Sequence, residues 1–297
     1  KDFKEGFGLV TTNLNRLEYS IPEDVGLSSK KLNFINNIAG SVLKQKMAPG
    51  FQVLVARKGK VVFQKSYGFH TDKKKRRVRN SHLYDLASIT KILGSLPMIM
   101  KAEEEGKIHL TDSLKTILPS FRYSNKRNIT VKQILSHTSK LKAWIPFYLK
   151  TQDSLKHNLT TLYSNKYSKK FRIKVAKDLY LHHSYKDSIY YFIKEAEQRT
   201  SEGYKYSDLG YYLFKKVLEK KYKKPLNILV EDAFYKPLGA NRTTYLPLRK
   251  FSKSVIVPTE KDDYYRNQLV QGYVHDMGAA MLGGVGGHAG LFANAND

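Results

Sequence analysis

The chain has 297 residues, is 41% hydrophobic and carries 21 Tyr and 14 Phe, a composition that argues against disorder and allows a substantial core. Lys and Arg outnumber Asp and Glu by 52 to 26, and the net charge of +26 predicts attraction to polyanions such as nucleic acid, anionic lipid or acidic envelope polymers. The absence of cysteine excludes disulfides and thiolate metal sites, and no apolar run approaches the ~20 residues that span a bilayer.

The chain opens at Lys1 without a charged-then-apolar leader. A removed targeting segment or excision from a longer protein is therefore expected, with residues 1–21 as an extension or linker. Residues 28–46 read as a helix, capped by Ser28 or Ser29 and with Leu32, Ile35, Ile38, Val42 and Leu43 on one face. A hairpin follows, in which 51–56 and 61–65 flank the turn Lys58-Gly59-Lys60. The run Lys73-Lys74-Lys75-Arg76-Arg77 with Arg79 reads as a solvated excursion. No zinc finger or RNA-binding aromatic signature accompanies it, so no nucleic-acid partner is expected.

Ser88-Ile89-Thr90-Lys91 opens an apolar helical pattern that runs towards Glu105, with a kink expected at Pro97 and a stop at Gly106. Residues i and i+3 share a helix face, so the lysine amine can reach the serine hydroxyl. A hydroxyl is a poor nucleophile without a base beside it, and a lysine in a dry pocket can be that base. The spacing alone is weak, because a serine cap followed by a solvated lysine is common in lysine-rich chains. Helical patterns dominate the next part, near 112–118, 130–137, 187–198 and 208–222, with 142–186 read as loops and short helices. Two strands thus precede a helical insertion of about 88–250, and a stable sheet needs further strands from the other end of the chain. Within that insertion Gly203-Tyr204-Lys205-Tyr206-Ser207-Asp208 places a phenol, a hydroxyl and a carboxylate in a row ahead of a helix.

Ser88-x-x-Lys91 followed by Tyr206-Ser207-Asp208 resembles the penicillin-recognising serine hydrolases: class C β-lactamases, D-alanyl-D-alanine carboxypeptidases and related esterases. Residues 52–62, Tyr84-Asp85-Leu86-Ala87, the segment 129–139 and Tyr235-Lys236-Pro237-Leu238-Gly239 resemble further segments of that family. Trp144 to Tyr148, Val270 to Asp276 and Gly278 to Gly284 bring the resemblance closest to the β-lactamase-like modules appended to family-3 glycoside hydrolases. The likeness covers most of residues 22–297. It implies an α+β fold, an antiparallel sheet flanked by helices plus a large helical region, and a bacterial extracytoplasmic location.

By that resemblance Ser88 is the nucleophile and forms an acyl-enzyme, and its amide supplies one oxyanion donor. Lys91 and Tyr206 share the general-base role. Asp208 stands where class C enzymes carry a substrate-binding asparagine, and a carboxylate there can pair with Lys91 instead. The substrate is expected to be an amide or ester of peptidoglycan-like or small acyl character, with no cofactor, no metal and a fused family-3 glycoside hydrolase domain as partner. The family's third motif, Lys/His-x-Gly on a strand, is matched by letter in His288-Ala289-Gly290. That segment sits among glycines rather than in a β-rich run, and reads instead as the lead-in to a late helix capped by Asn296 or Asp297. The strand-borne motif and the last strands are then expected beyond residue 297, with His288 and Gly290 lining the pocket wall. Trp144 reads equally as pocket rim or core. The competing reading is a catalytically weak or inactive module that binds wall fragments, motivated by Asp208 and the third motif. His182-His183, His137 and His275-Asp276 lack metal-ligand spacing, and His137 is expected to order the loop after its helix.

Overall fold

The computed structural model describes residues 16–297, so most of the expected N-terminal extension lies outside the described residues. Strands β1 (Glu18–Tyr19), β2 (Gly50–Arg57) and β3 (Lys60–Gly68) form a sheet in the order β1-β3-β2, so the end of the expected linker docks as an edge strand. The β2–β3 turn is two residues long, and Lys58 and Gly59 both take positive φ (51° and 75°), which matches the right-handed twist of the flanking strands. The helix expected over 28–46 is split. Ser28 Oγ caps the single turn Ser29–Leu32, and helix α1 (Phe34–Lys44) follows. The break is at Asn33, whose carbonyl takes both the main-chain and side-chain amides of Asn36.

After the exposed basic loop, which Phe69 and Arg77 close by a bridge, comes strand β4 (Tyr84–Asp85). Helix α2 (Leu96–Glu104) carries Pro97 in its first turn, so no mid-helix kink forms there. The irregularity moves upstream into a π-helical turn, Lys91–Ser95. Proline has no N–H for the Leu93 carbonyl four residues back, and the Tyr235 hydroxyl donates to it instead at 2.8 Å.

The stretch 142–186 is not loops alone. It contains strands β5 (Tyr163–Ser164), β6 (Phe171–Ala176) and β7 (Leu179–His182), paired antiparallel in the order β5-β7-β6. Tyr163, Ile173, Val175, Ala176 and Leu181 are buried, while Arg172 and Lys174 alternate with them on the exposed face of β6. Helices α3 (Tyr185–Glu195) and α4 (Leu209–Tyr222) lie where the periodicity predicts. Before them, Thr130 and Gln133 form a reciprocal capping box on Val131–Leu135.

Helix α4 is the centre of the core: Leu209, Leu213, Phe214, Val217 and Leu218 are fully buried, each worth ~1.5–3 kcal/mol. Gly210 faces Ile134, where a Cβ would collide with that side chain. The remaining strands are β8 (Thr244–Tyr245), the hairpin β9 (Glu260–Asp262) with β10 (Gln268–Val270), and β11 (Leu291–Ala293). β11 lies between β4 and β8, antiparallel to both, and Leu83, Ile256 and Phe292 pack as a small second core beside that sheet. The Gly-rich segment of 283–290 therefore leads into a strand. Asn296 has its side chain on Tyr19, and the Asp297 carboxylate holds Arg16 at 2.7 Å and the Arg242 N–H at 2.6 Å. Helices and small sheets share one chain, an α+β architecture.

Candidate active site

The β4–β11 pairing sets Asp85 opposite Phe292, and the Leu86 N–H donates to the Leu291 carbonyl at 2.9 Å. The chain then turns sharply: Ala87 takes φ +44°, a region that costs a non-glycine residue about 1–2 kcal/mol. Asp85 holds that turn. One carboxylate oxygen accepts the Ala87 N–H at 2.8 Å and the other the His275 N–H at 2.6 Å. Burial pushes the Asp85 carboxyl above the usual carboxylate range, against the pull of these two amides. The turn delivers Ser88 exposed and Lys91 buried, on one short helical segment.

Lys91 Nζ donates to Ser88 Oγ at 2.8 Å and to the His288 carbonyl at 3.3 Å, and forms an ion pair with Asp208 at 2.6 Å. An ammonium buried this deeply is tolerated only when paired and hydrogen-bonded, and Asp208, three-quarters buried itself, is the paired charge. The Tyr206 and Tyr211 rings lie 4.8 and 5.7 Å from the same nitrogen, a further cation–π contribution. Ser88, Lys91, Tyr206 and Asp208, 120 residues apart at their extremes, thus converge on one amine.

The 206–208 segment is held by the loop that follows Val131–Leu135. His137 Nδ1 accepts the Ser207 N–H at 3.1 Å, and Ser207 Oγ donates to the Lys142 carbonyl at 2.6 Å. The Asp208 N–H donates to the Ala143 carbonyl at 2.9 Å. A ring nitrogen that accepts an amide proton must be unprotonated, and burial with the nearby Lys91 charge lowers His137 accordingly. The imidazole also packs on Tyr206 with ring centres 4.7 Å apart, so His137 orders its loop and seats the tyrosine as well. Trp144 stands on the same loop with 55% of its surface exposed, so it is not a core residue.

His288 and Gly290 take part through the backbone. The His288 ring is buried, stacked on Tyr212 at 4.0 Å, with Nε2 2.8 Å from Asp276 Oδ1, so only its carbonyl faces Lys91. Gly290 adopts φ +123°, and a Cβ there would meet the Gly284 carbonyl at 2.6 Å, so glycine is required for the approach of β11. The His288 ring is thus turned to Asp276 and Tyr212 rather than set as a pocket wall, the place the sequence reading expects for it. Two carboxylates brace the site from behind, Asp85 through the Ala87 and His275 amides and Asp276 through His288; both lie within segments that carry the sequence resemblance, with tertiary partners that give no local signal.

Asp276 also caps Met277–Met281 by accepting the Ala279 N–H at 2.7 Å. Burial raises its carboxyl, but the His288 charge and these hydrogen bonds prevail and hold it at about 2. A folded value below the unfolded one contributes stability that is present above the ordinary carboxylate range and lost as pH falls through the folded value. The melting temperature of the native chain is therefore expected to drop more steeply than that of Asp276→Asn between pH about 4 and about 2. Parallel curves in thermal melts across that window would remove this pair from the acid response.

The Beta-lactamase family model matches residues 37–297. The N-acetylmuramyl-L-alanine amidase of Bacillus subtilis (strain 168) is 27% identical over 322 residues, covering 99% of this chain and 67% of its own. Among solved structures, the octameric penicillin-binding protein homologue from Pyrococcus abyssi matches with a TM-score of 0.62 at 19% identity, over 89% of this chain and 53% of its own. The β-lactamase/D-alanine carboxypeptidase from Pseudomonas syringae gives 0.60 at 16% identity, over 91% and 63%. The chain spans about half to two thirds of the length of these relatives.

Proposed function

Because the chain belongs to the Beta-lactamase family, we propose that it is a penicillin-recognising-type serine hydrolase working through Ser88, Lys91 and Tyr206. Ser88 Oγ attacks an acyl carbon, the bond to the leaving amine or alcohol breaks, and the serine proton passes through the base to that leaving group. Water then hydrolyses the serine ester and restores the hydroxyl. The observation that carries this reading is the 2.8 Å contact between Ser88 Oγ and Lys91 Nζ. At rest the amine donates in that contact, so it must release a proton before it can take one. We assign that exchange to Asp208, at 2.6 Å, and to the Tyr206 phenol, whose ring centre lies 4.8 Å from the amine. The Ser88 amide supplies one oxyanion donor.

The substrate class we favour is an amide or ester of peptidoglycan-like material. The Bacillus subtilis relative is named for cleavage at a muramyl-alanine linkage, and the basic surface suits an anionic wall. The site of action is then the cell envelope, and among the described residues no helix is long and apolar enough to cross a membrane. A fused family-3 glycoside hydrolase domain rests on the sequence resemblance alone.

The Lys91–Asp208 ion pair favours one competing reading, a module that binds wall fragments without turnover, because it engages the amine that would otherwise serve as base. Fluorescent penicillin and an activated phosphonate, with adducts mapped by mass spectrometry beside Ser88→Ala, separate the two. An adduct on Ser88 that vanishes in the variant is the expected result. No adduct from folded protein would sink the hydrolase reading in favour of the binding module.

A further inference from the structure

We infer that a cationic cavity between β6, α3, α4 and residues 246–249 is a binding site for phosphate oxyanions, of the kind carried by phosphodiester wall polymers. The cavity has a volume of about 590 Å³, and none of Ser88, Lys91, Tyr206 or Asp208 lines it. The inference is therefore independent of the acyl-transfer reading.

Five Lys and Arg side chains line this cavity, Arg172, Lys174, Lys186, Lys215 and Arg249, against one carboxylate, Glu219. That carboxylate is already committed. One oxygen pairs with Lys215 at 2.6 Å, and the other accepts the Leu226 N–H at 2.9 Å. Lys174 is placed over the Tyr180 and Tyr273 rings at 5.5 and 5.8 Å. Among the described residues Arg172, Lys186 and Arg249, exposed side chains that line the same open cavity, have no carboxylate within ion-pairing distance. Like charges gathered in a concave, partly apolar wall repel one another; the Lys186 amine is lowered by desolvation first and by Lys215 and Arg172 as well, against the opposing pull of Glu219 and Asp187. A bound dianion would relieve this repulsion.

The donor set selects the anion. Two guanidinium forks and an ammonium suit tetrahedral phosphate oxygens, which accept several charge-assisted hydrogen bonds at once. Nucleic acid is disfavoured, because sequence-tolerant single-strand binding needs aromatic faces along a groove, and Tyr273 already serves Lys174 while Phe292 is buried in the second core. The basic run of residues 73–77 offers the contrast. It lies outside this cavity, and Lys73 instead shares a second cavity with the carboxylates of Asp72, Glu260, Asp262 and Asp263, which disfavour an anion there.

The test is calorimetric titration of the chain at low ionic strength with inorganic phosphate, pyrophosphate and a glycerol-phosphate oligomer. Native protein is compared with Arg172→Gln/Lys186→Gln/Arg249→Gln and with an equal-charge control, Lys30→Gln/Lys74→Gln/Lys75→Gln. Saturable binding is expected, weakened at least ~10-fold in the cavity variant, about the cost of one charge-assisted bond, and less than twofold in the control. Tighter binding of the oligomer than of phosphate would assign the site to polymer phosphodiesters, and equal binding per phosphate to the free ion. No saturable binding, or equal weakening in both variants, overturns the inference. Circular dichroism checks folding, and if the triple variant fails to fold, Lys186→Gln alone decides: unchanged affinity overturns the site.

Discussion

Lys91→Met is expected to slow phosphonate labelling of Ser88 by about 10²–10⁴-fold, the usual contribution of a positioned general base. The methionine fills the volume of the lysine stem, and the Asp208 carboxylate it leaves behind keeps a quarter of its surface in water, so the fold should survive. Two companions separate proton transfer from charge. Lys91→Arg keeps a cation beside Asp208 but cannot give up its proton. If the amine must accept the Ser88 proton, arginine is as damaging as methionine; if only a positive charge is needed, arginine retains most of the rate. Asp208→Asn removes the carboxylate paired with Lys91 and puts a neutral amide in its place. It is expected to ease proton release and to raise acylation by penicillin relative to phosphonate. Labelling rates unchanged in Lys91→Met would strip the lysine of its proposed role.

Much of this site was legible because it depends on local spacing. Ser88 and Lys91 are one helical turn apart, and their contact follows from i,i+3 geometry. The β2–β3 hairpin was equally readable, since Lys58-Gly59 can adopt the two positive φ values its turn demands. What stayed hidden depends on partners distant in sequence. Asp85 receives an amide from His275, 190 residues away, and nothing near either residue announces it. The pairing of His288 with Asp276 turns an apparent substrate-binding histidine into a buried brace, and β11 forms at 291–293 only because β4 and β8 are there to pair with it. The β5–β7 sheet was missed for a different reason. Phe171-Arg172-Ile173-Lys174-Val175 does alternate apolar and basic residues, but the strand is short and the Tyr-, Lys- and Ser-rich stretch around it obscures the period.

Asp85→Ala is expected to cost about 2 kcal/mol of stability, two charged hydrogen bonds less the relief of a desolvated carboxylate, and to slow Ser88 acylation by about 10–100-fold. Non-covalent substrate binding should change less than twofold, because Asp85 touches the nucleophile turn and not the ligand. The residue is a positioning group: it accepts the N–H of Ala87, whose φ of +44° is otherwise unfavourable, and ties that turn to His275. A second substitution tests this directly. Glycine pays no penalty at positive φ, so Ala87→Gly in the Asp85→Ala background should recover about 1 kcal/mol and part of the rate. A merely structural loss at Asp85 would not be repaired there.

The pH dependence has a definite sign. The folded Asp85 carboxyl is raised above its unfolded value, so its protonation favours the folded state, and that stability is present at low pH and lost as pH rises through the folded value. A protonated carboxyl is the poorer acceptor for two amides, so the nucleophile turn loosens as the fold gains. Labelling of Ser88 should therefore fall on acidification at a pH above the ordinary carboxylate range, while melting temperature does not fall with it. This divergence should vanish in Asp85→Asn, which has no proton to take up. A native chain whose labelling rate and melting temperature decline together in acid would place the control of the turn elsewhere.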